Sequence, residues 1–91
     1  MSRQLLYLPT AESDLAGIYD LIARDSPVAA LNFVADIRKR CEPLAGFPRM
    51  GRPLDDRVHR ITFDRRVMVL YAFNDDTLWI VGIRYLGRNW P

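Results

Sequence analysis

The feature that most constrains this chain is a change of period. Ahead of "FPRMGRP" (residues 47–53) the apolar residues recur at helical spacing, and beyond it they alternate. Leu15, Ile18, Tyr19 and Ile22 stand at i, i+3, i+4 and i+7, one face of a helix. Ala30, Val34, Ile37, Cys41 and Leu44 mark the buried stripe of a second. After the elbow, "RVHRITF" (57–63), "RVMVLYAF" (66–73) and "TLWIVGIRY" (77–85) read as three strands. The turns between them, "DR" (64–65) and "NDD" (74–76), are short enough to make them antiparallel neighbours. Helices segregated from a meander of strands predict a layered α+β domain.

Ahead of the helices, "QLLYL" (4–8) is a short apolar run ended by Pro9, read as a first strand. Thr10 is the expected helix cap, with Glu12 and Asp14 in the positive first turn. "RDSP" (24–27) closes that helix and opens the next, with Ser26 as N-cap and Pro27 at the first helical position. Two helices joined by so few residues form an antiparallel hairpin. Phe47, at the elbow, is expected to plug the core beneath it.

A chain of 91 residues is one domain, 1–91, with a modest core. Its formal charge is only +2, but the charge is unevenly placed: residues 1–48 sum to −1, and residues 49–91, with eight arginines, to +3. Arginine is a planar, always-charged fork suited to carboxylates and phosphates. The bias points to an acidic partner or nucleic acid, or to a plain compositional preference for arginine. The single cysteine, Cys41, excludes an internal disulfide and a cysteine-rich zinc site. The opening "MSRQLLYLPT" has neither a long apolar run nor a small-residue cleavage site, and no stretch has the length of a membrane span, so a cytoplasmic location is expected.

Alternation assigns the faces of the sheet. One face takes Ile61, Phe63, Val67, Val69, Tyr71, Phe73, Trp79, Val81, Ile83 and Tyr85, and must pack on the helices. The other takes Arg60, Thr62, Arg66, Met68, Leu70, Leu78, Ile80, Gly82 and Arg84, with no element left to cover it. Arginines flanking exposed aliphatic residues suggest a docking site for a partner helix or a nucleic acid. The plainer alternative is a solvated face whose arginine stems shield a few aliphatics.

Candidate chemistry is sparse. His59 is the only histidine, and no second soft ligand stands at a metal-ligand spacing, so neither a metal nor a cofactor is expected. The carboxylates at 55–56 and 75–76 belong to turns. Phosphodiester cleavage needs a proton acceptor and a donor, and the open face offers no suitable histidine, lysine or glutamate.

The order of these elements resembles the ParE/RelE superfamily of bacterial toxins. The matching stretches are "LPTAESDLAGIYDLIA" (8–23), "ALNFVADIRKRCEPLAGFPRMGRP" (30–53) and "RRVMVLYAFNDDTLWIVGIRYLGR" (65–88), nearly the whole chain. The elbow is the most specific piece: members often end the second helix in Leu, a short gap, then Pro-x-x-G-R/K, here Leu44, Pro48, Gly51 and Arg52. The resemblance implies a short N-terminal strand, a helix hairpin and a three-stranded antiparallel meander, with the helices on one sheet face.

RelE-like members are ribosome-dependent ribonucleases that use basic residues on the open face plus a C-terminal tyrosine or histidine. ParE-like members instead poison DNA gyrase. Some nucleases carry an arginine three residues before the tyrosine matching Tyr71; Met68 stands there, and Arg66 sits as in the ParE pattern. The stations of the nuclease histidine and tyrosine fall on Leu86 and Gly87, both inert, while Tyr85 faces the core by parity. The resemblance therefore implies a gyrase-inhibiting toxin neutralised by a cognate antitoxin in a hetero-oligomer, with a RelE-type mRNA endoribonuclease acting on the ribosome as the alternative. The resemblance also implies an antitoxin that wraps the toxin with a helix and an extended segment. Part of it is expected to dock on the open face read from alternation, on Met68, Leu70 and Ile80, with Arg60, Arg66 and Arg84 meeting its acidic residues. For gyrase the resemblance points to Arg84, Arg88 and Trp90. In the nuclease alternative, Arg60, Arg66 and Arg84 would clamp phosphates.

Overall fold

The computed structural model describes residues 2–86. β1 (Gln4–Tyr7) leads into α1 (Pro9–Ala23) and α2 (Pro27–Cys41), and a single 3-10 turn (Glu42–Ala45) closes the helical half. β2 (Arg52–Pro53), β3 (His59–Phe63), β4 (Val67–Phe73) and β5 (Thr77–Tyr85) follow. The sheet runs β1-β5-β4-β3-β2, with β1 parallel to β5 and the other pairs antiparallel.

Local chemistry sets these boundaries. Ser26 is the N-cap of α2, and its hydroxyl oxygen accepts from the Ala29 N–H at 3.1 Å. The cap of α1 departs from expectation. Leu8 holds that place with Pro9 behind it at the first helical position, and the Thr10 hydroxyl donates instead to the Val81 carbonyl. Asp64 and Arg65 both take left-handed backbone angles (φ 55° and 59°), which lets the chain reverse tightly between β3 and β4. Between β4 and β5, Asn74 accepts from the Asp76 and Thr77 N–H groups, an Asx turn.

The core lies between the helix hairpin and one sheet face. Ala11, Leu15 and Ile18 of α1 and Ile37 and Cys41 of α2 meet Val67, Val69 and Tyr71 of β4 and Leu78, Ile80 and Ile83 of β5. Phe33 of α2 meets Tyr85 edge-on, with ring centroids 5.5 Å apart. Arg38 binds Glu12 across the two helices and lies 4.7 Å above the Tyr7 ring.

One irregularity reassigns half of β5. Leu70 pairs with Gly82 but Tyr71 pairs with Ile80, so Val81 is an extra residue, a β-bulge. Ile83 and Tyr85 keep the core side expected of them, while the residues before the bulge exchange faces. Leu78 and Ile80, expected on the open face, are fully buried. Trp79 and Val81, expected in the core, lie on the opposite side. A one-residue slip moves every side chain beyond it to the other face.

Helix α1 fills the gap that the bulge and the end of β1 leave on this edge. The Leu8 N–H donates to the Ile80 carbonyl at 2.9 Å, and the Thr10 hydroxyl donates to Val81. The Ile83 N–H donates to an Asp14 carboxylate oxygen at 2.8 Å. Thr10 and Asp14 are one helical turn apart, so one face of α1 serves as a substitute strand.

Candidate functional site

The elbow is held from beneath by one side chain. Tyr71 is fully buried, and its hydroxyl donates to the Pro48 carbonyl at 2.7 Å while accepting from the Gly51 N–H at 2.9 Å. A Cβ at residue 51 would run into the Arg60 carbonyl and stand 2.6 Å from the Tyr71 hydroxyl, so only glycine fits there. Burial pushes the Tyr71 pKa up, and the Gly51 N–H opposes that shift. Phe47, expected to plug the core, is 68% exposed, and Pro48 is the buried residue of the turn. Tyr71 already fills the space below and binds the Pro48 carbonyl, which turns Phe47 outward.

The open face of the sheet is built in cross-strand rows. Leu6 of β1 lies beside Trp79, and Trp79 beside Ala72. Arg52 lies opposite Arg60, Arg60 opposite Leu70, and Leu70 opposite Gly82. Thr62, Met68 and Arg84 form a third row. Met68 and Leu70 are half-buried, Arg60 and Arg84 are exposed, and Leu6 is exposed. A shallow cavity of about 350 Å³ opens where this face meets α1, lined by Thr10, Asp14, Leu70, Val81, Gly82 and Arg84.

Of the six residues expected to receive a partner, Arg60, Met68, Leu70 and Arg84 share this face. Ile80 does not, because the bulge turns it into the core. Arg66 does not either. It precedes β4, and its guanidinium lies 5.8 Å above the Phe33 ring on the helical side. Arg84 is engaged within the chain, its guanidinium 2.7 Å from the Asp14 carboxylate that also receives the Ile83 N–H. Arg88 and Trp90 lie outside the described residues. Sequence reasoning missed Trp79, Leu6 and Arg52. Trp79 is recovered only by allowing the bulge.

The other titratable groups work as structure. His59 sits among aromatics, with centroids 5.6 Å from Tyr71 and 5.0 Å from Phe73. Burial pushes the Cys41 thiol up to about 11 and raises the neighbouring Tyr7 hydroxyl well above its usual value. Asp55 accepts the Arg57 and Val58 N–H groups, which lower its pKa. Among the described residues the open face is thus guanidinium, hydroxyl, indole and aliphatic surface, with the Asp14 carboxylate at its edge taken up by Arg84 and the Ile83 N–H. It can hold an anion or an apolar side chain.

Among the described residues no helix is long and apolar enough to cross a membrane. A family model described as the ParE toxin of the type II toxin–antitoxin system parDE matches residues 5–90. A solved chain of the chromosomal ParDE toxin–antitoxin system from P. aeruginosa superposes with a TM-score of 0.80, covering 93% of this chain and 97% of that one. Their sequences are 23% identical, so the likeness establishes the fold, α+β with a helix hairpin on a mainly antiparallel sheet. No curated protein matches significantly.

Proposed function

The chain belongs to the ParE toxin family of parDE type II toxin–antitoxin systems, and from that premise we propose that it inhibits DNA gyrase and is silenced by a co-encoded antitoxin docked on its open face. As the toxin component of such a system, it has an antitoxin for its partner. The docking surface is the part of the open face around Met68 and Leu70, flanked by Arg60 and Arg84. We assign the gyrase contact to Arg84 and the segment carrying Arg88 and Trp90, as the family resemblance implies.

One observation carries the preference for binding over cleavage: the arginines a ribonuclease would need as a phosphate clamp point in different directions. Arg66 covers Phe33 and Arg84 is tied to Asp14, so of these three only Arg60 is left on the face with no carboxylate partner among the described residues. A phosphorane needs converging cations and a proton shuttle around one point. This face offers a dispersed set suited to a large partner.

The test is antitoxin-free toxin with gyrase and plasmid, stopped with detergent. Linear DNA or blocked supercoiling is the expected result. Unimpaired supercoiling at high toxin excess, together with cleavage of ribosome-bound mRNA, would overturn the proposal. Where the toxin does inhibit gyrase, Trp90→Ala should reduce that inhibition while antitoxin affinity is kept.

A further inference from the structure

The turn from the 3-10 helix to β3 gathers apolar surface that the fold does not use. Of the large hydrophobic side chains exposed among the described residues, half fall within residues 47–54: Phe47 at 68%, Met50 at 54% and Leu54 at 53%. The segment is not loose. Tyr71 clamps Pro48 and Gly51, and the Met50 N–H donates to the Phe47 carbonyl at 3.1 Å. With the backbone already held in place, binding the exposed Phe and Met side chains carries no added cost of ordering the chain that presents them, as suits an anchor site.

Charge lies beside this apolar surface. Arg52 and Arg60 are direct cross-strand partners, and like charges so placed repel. No carboxylate among the described residues pairs with either one. The nearby Asp55 is occupied by the backbone of its own turn. Two more guanidiniums, of Arg3 and Arg49, lie 5.4 and 5.6 Å from the Phe73 ring centroid. Met50 lines two clefts. One, of about 380 Å³, is also lined by Gly51, Arg52, Arg60 and Thr62. The other, of about 530 Å³, is lined by Arg3, Phe47, Pro48 and Arg49.

We propose that the elbow is a second docking site for the antitoxin, taking an acidic segment with a carboxylate between Arg52 and Arg60 and an apolar side chain against Phe47 and Met50. A polypeptide fits better than a nucleic acid, because Phe47, Met50 and Leu54 offer contacts that a sugar–phosphate chain cannot fill. The site is continuous with the open face, since Arg60 pairs directly with Leu70. The inference rests on the reading that an antitoxin is the partner of this chain, and it extends the open-face surface round the sheet edge.

The test measures Kd for the purified co-encoded antitoxin with three toxin variants: Arg52→Glu, the double Phe47→Ala/Met50→Ala, and Met68→Asp on the open face. Arg52→Glu should raise Kd about tenfold or more, with the loss shrinking as salt is added. The Tm of the free toxin should hold or rise, because the exchange turns a repulsive cross-strand pair into an attractive one. A residue needed only for folding would lower Tm instead. The double variant should raise Kd by a similar factor without the salt dependence. Normal binding by both elbow variants, with Met68→Asp impaired, would overturn the elbow site and leave the open-face reading standing. Loss in the elbow variants alone would keep the elbow and overturn the open-face reading. Normal antitoxin binding by Arg52→Glu with weakened binding of a labelled DNA oligonucleotide would overturn the assignment in favour of nucleic acid.

Discussion

At the edge where β1 stops, helix α1 supplies Thr10 and Asp14 to the spare backbone groups of β5, while at the other edge the two-residue β2 leaves Arg52 facing Arg60 with no carboxylate between them. The first edge is finished by the chain's own residues, and with it the register of the bulged strand. The second carries unresolved charge and exposed Phe47 and Met50 on an equally well-fixed backbone. An edge finished from within serves stability; one left charged resists pairing with other strands and keeps its contacts for a chosen partner. The two edges differ in what they leave unmet.

The sharpest way to break this comparison is at the bulge. Ile80→Ala should cost about 2–5 kcal/mol in denaturant unfolding, as core truncations do. Val81→Ala, on the other side of the slip, should cost less than about 1 kcal/mol. The reverse order of costs would mean the register is straight and the edge is not sealed as described. Next in size is Tyr71→Phe, which leaves the Pro48 carbonyl and Gly51 N–H without their partner and should cost about 1–3 kcal/mol. It should also weaken the antitoxin complex if the elbow must be held rigid. Asp14→Ala should cost about 1–2 kcal/mol by orphaning the Ile83 N–H, with faster amide exchange at Ile83 as the specific readout.

A pH slope checks the sealed edge independently, where the Tyr7 hydroxyl of β1 neighbours the Cys41 thiol. The thiol ionises from 9.0 in the unfolded chain but only near 11 in the fold, because of burial. Its contribution is full below pH 9 and is lost as the pH climbs towards 11, since the unfolded chain then binds fewer protons. Stability should fall over that interval, and Cys41→Ala should flatten the fall.

Much of this architecture was legible in the sequence. Apolar spacing marked both helices, the extent of β5 matches the run 77–85, and the Ser26–Pro27 pair announced the start of α2. The elbow could be read too, because proline and glycine leave little else for the backbone to do. The bulge could not. Leu78, Trp79, Ile80 and Val81 are all apolar, so inserting one residue into the alternation leaves no trace in the hydrophobic pattern. That single ambiguity sent Ile80 to the wrong face and concealed Trp79. Arg66 misled for another reason: it belongs to the turn before β4, where alternation does not govern direction. Thr10 and Phe47 had their local roles overridden by tertiary partners, Val81 for one and the Tyr71–Pro48 bond for the other.

The sheet order β1-β5-β4-β3-β2 also sets the time at which this protein comes into being. β5, the last strand among the described residues, is an interior strand and carries Leu78, Ile80 and Ile83 into the core. Its parallel neighbour β1 is the first strand, some seventy residues earlier, as in the Gln4↔Thr77 pair. Contacts so distant in sequence form late, after the loops between them have closed. During synthesis the helix hairpin can emerge and coil, but its apolar stripes have no sheet to rest on until residue 85 is free. A nascent or truncated chain that lacks β5 therefore lacks both the open face and the clamped elbow.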